Sequence, residues 1–140
     1  YNALVLVGLL LGWPVLLYSL LATPKYRAGL GQKLGLKSLN IPPKPSGLRR
    51  YWVHCVSVGE LNAAQPLINA LMQNADVVIT TTTATGQALA KTRYAQVCYC
   101  PLDTVWTVKH AMETIQPDAL LILETELWPN LFAFAHHYCP

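Results

Sequence analysis

The sequence predicts an α/β fold: a Rossmann-like parallel-sheet half preceded by an N-terminal transmembrane helix. Two observations predict it. From Tyr1 to Pro24 there is no charged residue, and Ala3 to Ala22 forms a nearly unbroken apolar run of about the 20 residues needed to cross a bilayer as a helix. From Leu48 onward, short runs rich in β-branched residues alternate with stretches of helical period, and each strand ends in a polar turn. Such alternation implies right-handed crossovers and a parallel sheet, so all the carboxyl turns gather on one edge.

The chain of 140 residues is 53% hydrophobic and only 12% charged, an excess of apolar character concentrated at its front. Gly8, Gly12 and Pro14 are compatible with a spanning helix. A cleaved signal peptide would carry a basic n-region, whereas here the positive charge follows the apolar run, so a retained anchor over 1–24 is expected. Lys25, Arg27, Lys33, Lys37, Lys44, Arg49 and Arg50 come next, and no acid precedes Glu60. By the positive-inside rule this flank is cytoplasmic, which predicts a single-pass inner-membrane protein with its domain in the cytoplasm. A basic juxtamembrane segment over 25–47 is also drawn to anionic headgroups, at ~1 kcal/mol per residue near the surface. Nucleic acid is not the expected partner, because the cations hug the anchor and no nucleic-acid-binding signature follows.

Within the basic segment, residues 26–37 show no clean period and suit a short interfacial helix or loop. The prolines and glycine of 41–47 make a linker. The first strand is read in Trp52 to Val58, a β-branched run of the kind buried on both sheet faces. Gly59 supplies a permissive backbone for a sharp turn, and Glu60 sits just past the strand's end. A helical pattern covers 61–72. Pro66 falls inside it, so either Asn62 caps a later start, with Gln65 completing a capping box, or Pro66 kinks the helix. Val77 to Thr82 is the second strand, 83–86 its turn and 87–94 a helix. Val97 to Cys100 is a short third strand stopped by Pro101. Asp103 or Thr104 caps the next helix, whose apolar stripe is Val105, Val108, Met112 and Ile115. Pro117 ends it, Ala119 to Leu123 is the fourth strand, and a last helix follows Pro129. The Rossmann-like domain therefore covers 48–140.

Cys55, Cys98, Cys100 and Cys139, with His136 and His137, contain ligand types suited to zinc, but their spacing fits no common zinc knuckle. The first three fall in or beside expected strands, where a free cysteine acts as a small hydrophobe. No metal and no cofactor is expected.

The carboxyl edge collects Glu60, Thr83, Thr85, Gly86, Asp103, Glu124 and Glu126. In open α/β sheets ligands bind there. Neither a dinucleotide fingerprint nor a Walker loop is present. The mixture of carboxylates and hydroxyls suits a polyol or sugar acceptor. Glu60 has two readings from position alone: a functional carboxylate, or an acid that complements a helix dipole.

HCVSVGE at 54–60, TTTTATG at 80–86 and ETELWPN at 124–130, together with YRAGLGQKLG at 26–35, resemble the N-terminal part of the bacterial 3-deoxy-D-manno-octulosonic acid (Kdo) transferases. These are membrane-anchored GT-B glycosyltransferases of family 30 that move Kdo from CMP-Kdo to a lipid A precursor. The resemblance implies an incomplete acceptor-binding half of a GT-B enzyme, with Glu60 as catalytic base and Glu124 as a second essential carboxylate. Ser57, Gly59, Thr83, Thr85, Gly86 and Glu126 would line the acceptor side. The partners implied are the lipid IVA acceptor and CMP-Kdo, the latter held by a C-terminal donor domain that this sequence lacks, so the chain alone is expected to be inactive. Ala84 stands where the family often has proline, and the connection 73–76 is shorter than is common. Two other functions compete: the acceptor half of a different GT-B lipid-sugar transferase, and a non-catalytic membrane-tethered module that binds anionic lipid.

Overall fold

A computed structural model describes residues 1–22, 27–123 and 126–139. In chain order the elements are α1 (Asn2–Ala22), α2 (Leu30–Lys33), β1 (Arg50–His54), α3 (Val58–Leu71), β2 (Asp76–Thr81), α4 (Ala84–Arg93), β3 (Val97–Tyr99), α5 (Val105–Ile115), β4 (Ala119–Ile122) and α6 (Pro129–Tyr138). The four strands form one sheet in the order β3-β2-β1-β4, and every pairing is parallel. This is the Rossmann-like arrangement expected.

Alternation along the strands sorts the core into two layers. Val53, Val77 and Ile79 point to one face, where Leu61, Ala64 and Ile68 of α3 and Ala90 of α4 cover them. Trp52, Val78 and Cys98 point to the other, under Val108, Ala111, Met112 and Ile115 of α5 and Leu131 of α6. Both faces are covered, which is why the strands read as unbroken apolar runs rather than alternating ones. At the rim, β4 pairs with β1 alone and all four of its residues are half-buried. Leu39 is only 2% exposed, so the approach to the linker already belongs to the core.

Several local readings shift. β1 ends at His54 rather than Val58, because Ser57 already takes the extended N-cap conformation of α3 and Val58 is its first residue. Gly59 is therefore helical and makes no turn; a Cβ there would meet only the Ser57 hydroxyl, at 3.8 Å. Asn62 caps nothing, since α3 runs through it and through Pro66. Instead its Oδ1 accepts from Arg93 Nη1 at 2.8 Å. The turn at 83–86 is the cap and first turn of α4, with Thr83 accepting from Gly86 N. Thr104 caps α5. Asp103 caps a different helix, 27 residues on: its Oδ1 accepts from Leu131 N at 2.8 Å and its Oδ2 from Asn130 N at 3.2 Å.

The basic segment is not the unopposed charge run that its sequence suggests. Arg50 is fully buried; its Nε pairs with Asp76 at 2.5 Å, and its other nitrogens donate to the carbonyls of Ile115 and Pro42. Lys44 pairs with Asp118 at 2.6 Å. Both acids come later in the sequence and meet these cations only through the sheet. Lys25 lies outside the described residues.

The apolar N-terminal run folds as expected into one helix, α1, with Pro14 inside it. Among the described residues, however, no helix is long and apolar enough to cross a membrane. Moreover, the Tyr1 hydroxyl donates to Asp103 and Asn130 Nδ2 donates to Asn2 Oδ1, both at 2.9 Å. The amino end of α1 thus rests on the α/β domain, not across a bilayer from it.

Candidate functional site

The carboxyl ends of β1 and β2 meet around one residue, Val56. Its N–H donates to Glu60 Oε2 at 2.5 Å. Its carbonyl accepts from Thr82 N and Thr83 N, and from Thr83 Oγ1 at 3.2 Å. The Ser57 hydroxyl donates to Glu60 Oε1 at 2.9 Å. Ser57, Gly59, Glu60, Thr83 and Gly86 are thereby drawn into one cluster.

Glu60 occupies the third position of α3, where a carboxylate both complements the helix dipole and folds back on the cap. Each of its two oxygens takes one hydrogen bond, which fixes the carboxylate's orientation and leaves lone pairs over for a third partner. The side chain is half-buried. Chemically it is a carboxylate fixed in orientation at the start of α3. The capping reading and the functional one are therefore compatible: the same bonds that complete the helix aim the group.

Gly86 makes room for the cap. A Cβ there would come within 2.9 Å of Thr83 Oγ1, so a side chain at this position would push against the hydroxyl that caps α4. Thr85 is exposed, its hydroxyl 3.5 Å from that of Thr83, and is free to meet a ligand. Glu126 lies beyond β4, where Trp128 Nε1 donates to its Oε2 at 2.9 Å. Glu124, the second carboxylate expected, lies outside the described residues.

Two features of this edge escaped the sequence. Lys33 of α2 reaches it: Nζ donates to the Thr82 carbonyl at 3.0 Å and sits 4.9 Å from the centre of the Tyr99 ring. Burial lowers its pKa. Gln32 Oε1 accepts from Tyr99 N and Leu102 N donates to the Lys33 carbonyl, so α2 is part of the domain. Gly29, at φ 70°, approaches so closely that a Cβ would overlap the Tyr99 ring. A glycine-rich stretch beside a strand end was the available signal. The second feature is His54, the last residue of β1, which is 0% exposed. Burial lowers its pKa, against the opposing charges of Glu126 and Glu60.

All four cysteines are free. Burial pushes Cys55 and Cys98 up to about 12, so they are inert thiols at neutral pH. Among the described residues no group of three or more His, Cys, Asp or Glu converges as a metal site.

Comparison with known proteins shows the family of the chain. Residues 27–138 match the family described as 3-deoxy-D-manno-octulosonic-acid transferase (kdotransferase). The 3-deoxy-D-manno-octulosonic acid transferase of Haemophilus influenzae is 34% identical over 115 residues, 78% of this chain and 26% of that protein. Its counterpart from Bordetella pertussis is 38% identical over 93 residues, 60% of this chain and 22% of that protein. That from Aquifex aeolicus is 33% identical over 86 residues, 59% and 24% respectively. The chain therefore spans about a quarter of the length of the curated relatives it matches.

Proposed function

Since the chain belongs to the 3-deoxy-D-manno-octulosonic-acid transferase family, we propose that it is part of the acceptor-side half of an enzyme that transfers Kdo from CMP-Kdo to lipid IVA, the lipid A precursor, in lipopolysaccharide biosynthesis. The observation that carries the reading is Glu60, a half-exposed carboxylate held by Val56 N and Ser57 Oγ at the carboxyl edge. In an inverting transfer on a GT-B scaffold, Glu60 takes the proton from the acceptor hydroxyl as that oxygen attacks the anomeric carbon and CMP departs from the opposite face. Glu124 is assigned the second essential carboxylate, which stabilises developing charge. Ser57, Gly59, Thr83, Thr85, Gly86 and Glu126 are assigned to the acceptor: hydroxyls and a carboxylate suit a sugar, and the bare Gly59 leaves room over the helix start. CMP-Kdo is assigned to the part of such a transferase that follows this sequence in the longer relatives.

The same reading puts the enzyme at the inner membrane, with its α/β domain on the cytoplasmic side. Contact with that membrane surface is assigned to α1, a helix of 21 residues. It leaves Leu4, Leu10, Leu11 and Trp13 more than half exposed, an apolar surface that lipid would cover.

The test joins this sequence to the C-terminal part of a matched relative and measures Kdo transfer to lipid IVA. Glu60→Gln keeps size and most hydrogen bonding but cannot accept the proton, so kcat should fall ~10²- to 10⁴-fold with acceptor KM little changed. A Glu60→Gln protein that transfers at near wild-type rate refutes the base assignment. Undiminished lipid binding without any transfer in the parent would favour a non-catalytic anionic-lipid module instead.

A further inference from the structure

The segment 27–40 and the last turn of α4 border a cavity of about 480 Å³, within the roughly 300–1,000 Å³ of pockets that take small ligands. Arg27, Lys37 and Lys91 line it together with Ser38 and Asn40, and among the described residues its wall holds no acid. Neither Lys37 nor Lys91 has a carboxylate partner among the described residues. Like charges gathered around one space repel each other unless an anion lies between them.

The wall is braced before any ligand arrives. The N–H groups of Leu36 and Lys37 both donate to the Gly31 carbonyl, at 2.8 and 2.9 Å. Gln32 ties this loop to β3: its Nε2 donates to the Ser38 carbonyl at 3.0 Å, and its Oε1 accepts from Tyr99 N at 3.2 Å. Lys37 crosses Gly31 so closely that a Cβ there would come within 2.7 Å of its Cγ, so the bare glycine leaves room for the lysine stem. Asn40 is held at φ 56°, with its N–H on Ser38 Oγ at 3.1 Å. Its side-chain amide makes no bond among the described residues. A wall fixed in this way loses little conformational freedom when it binds.

Two observations choose the ligand. Several cations and an amide suit a phosphate, which offers negative charge and several acceptor oxygens. Arg27 follows the end of α1 at Ala22 by five residues, which span at most about 18 Å. That helix exposes Trp13 and Tyr18, the aromatic types that settle at a membrane–water interface. We propose that the cavity binds the phosphate of an anionic lipid headgroup, through Lys37 and Lys91 with the Asn40 amide as hydrogen-bond donor. The choice of a lipid as the source of that phosphate rests on the membrane reading above; the anion site itself does not.

The test uses a transferase of full family length carrying this sequence, and vesicles of phosphatidylcholine with or without phosphatidic acid. The parent should prefer the acidic vesicles by about tenfold or more, and Lys37→Gln and Lys91→Gln should each weaken that preference about fivefold, the worth of one lysine near an anionic surface. Arg49→Gln removes the same charge from the same basic segment but outside the cavity, and should change the preference less than about twofold. Asn40→Gly keeps the left-handed backbone and the net charge and removes only the amide, so a loss of about threefold is expected from it. Diffuse attraction between charges predicts equal losses for the three cation variants and none for Asn40→Gly; that pattern, or a parent without preference for acidic vesicles, overturns the proposal. Inorganic phosphate should release the protein from acidic vesicles at lower ionic strength than chloride does, and phosphate that competes no better than chloride also overturns it. Phosphate that competes in a parent indifferent to vesicle charge overturns the lipid source and leaves a soluble phosphate ester as the ligand. All four substituted positions are exposed, so the variants should melt with the parent. Glu60→Gln should bind the same vesicles as the parent, so loss of transfer and loss of binding are read apart.

Discussion

Removing the Asp103 carboxylate should unseat α6. The residue preceding that helix, Trp128, has φ −115° and ψ 79° and offers no side-chain cap. The N–H groups at the second and third helical positions, Asn130 and Leu131, depend on Asp103 instead. Both residues are buried, at 7% and 1% exposed, so water cannot readily replace the carboxylate. An unsatisfied buried donor costs ~1–3 kcal/mol, which for the two N–H groups of Asp103→Ala sums to roughly 2–6 kcal/mol. Partial relaxation of the first turn brings the expected loss to about 3 kcal/mol. Asp103→Asn retains one acceptor oxygen but turns an amide N–H towards the other donor and surrenders the charge, for about 1–2 kcal/mol. Urea unfolding followed by circular dichroism gives both values, and tryptophan fluorescence reports on Trp128 at the start of the same helix. An Asp103→Ala protein within 0.5 kcal/mol of the parent, a bound set by what ordinary surface substitutions cost, would refute the argument that this distant acid caps α6. Because Glu126 and Trp128 lie just ahead of that turn, the Asn variant should also weaken transfer in the joined enzyme.

Three further outcomes follow from the packing. Arg50→Met strands Asp76 in the sheet edge and should cost ~3–5 kcal/mol, whereas the double replacement Arg50→Met with Asp76→Leu should recover much of it; equal losses in denaturant titrations would contradict the buried pair. Thiol titration of the native chain at pH 8 should modify Cys139 first, with Cys55, Cys98 and Cys100 reacting only on unfolding, because those three are buried and Cys139 is partly exposed, although burial raises the pKa of all four. Asp118 is held below its ordinary value of 3.8, first by the hydrogen bond from Lys44 and then by the backbone N–H of Arg50. A folded-state depression contributes stability that is present above the ordinary value and lost as pH falls through the folded one. Lys44→Met should therefore flatten that acid limb of the stability profile by lowering stability at pH 7 and leaving it unchanged below the folded value, a small difference since the pair is partly exposed.

The alternation of strands and helices, the parallel sheet and the placing of Glu60 after the first strand were legible in the sequence, because period and turn chemistry are local properties of the chain. Motif identity carried the family as well. What the residues could not show were partners brought together by strand order. β1 lies between β2 and β4: that brings Arg50 beside Asp76 and Thr80 beside His54, and Trp128 edge-on to the His54 ring. The seven cations before Glu60 looked unopposed because charge was counted along the chain, while ion pairs form across the sheet. Asp103, next to a helix start in sequence, serves another helix because the third and fourth carboxyl turns share an edge. Spacing decided which elements form; the order in which they lie side by side decided which side chains meet, and only tertiary packing sets that order.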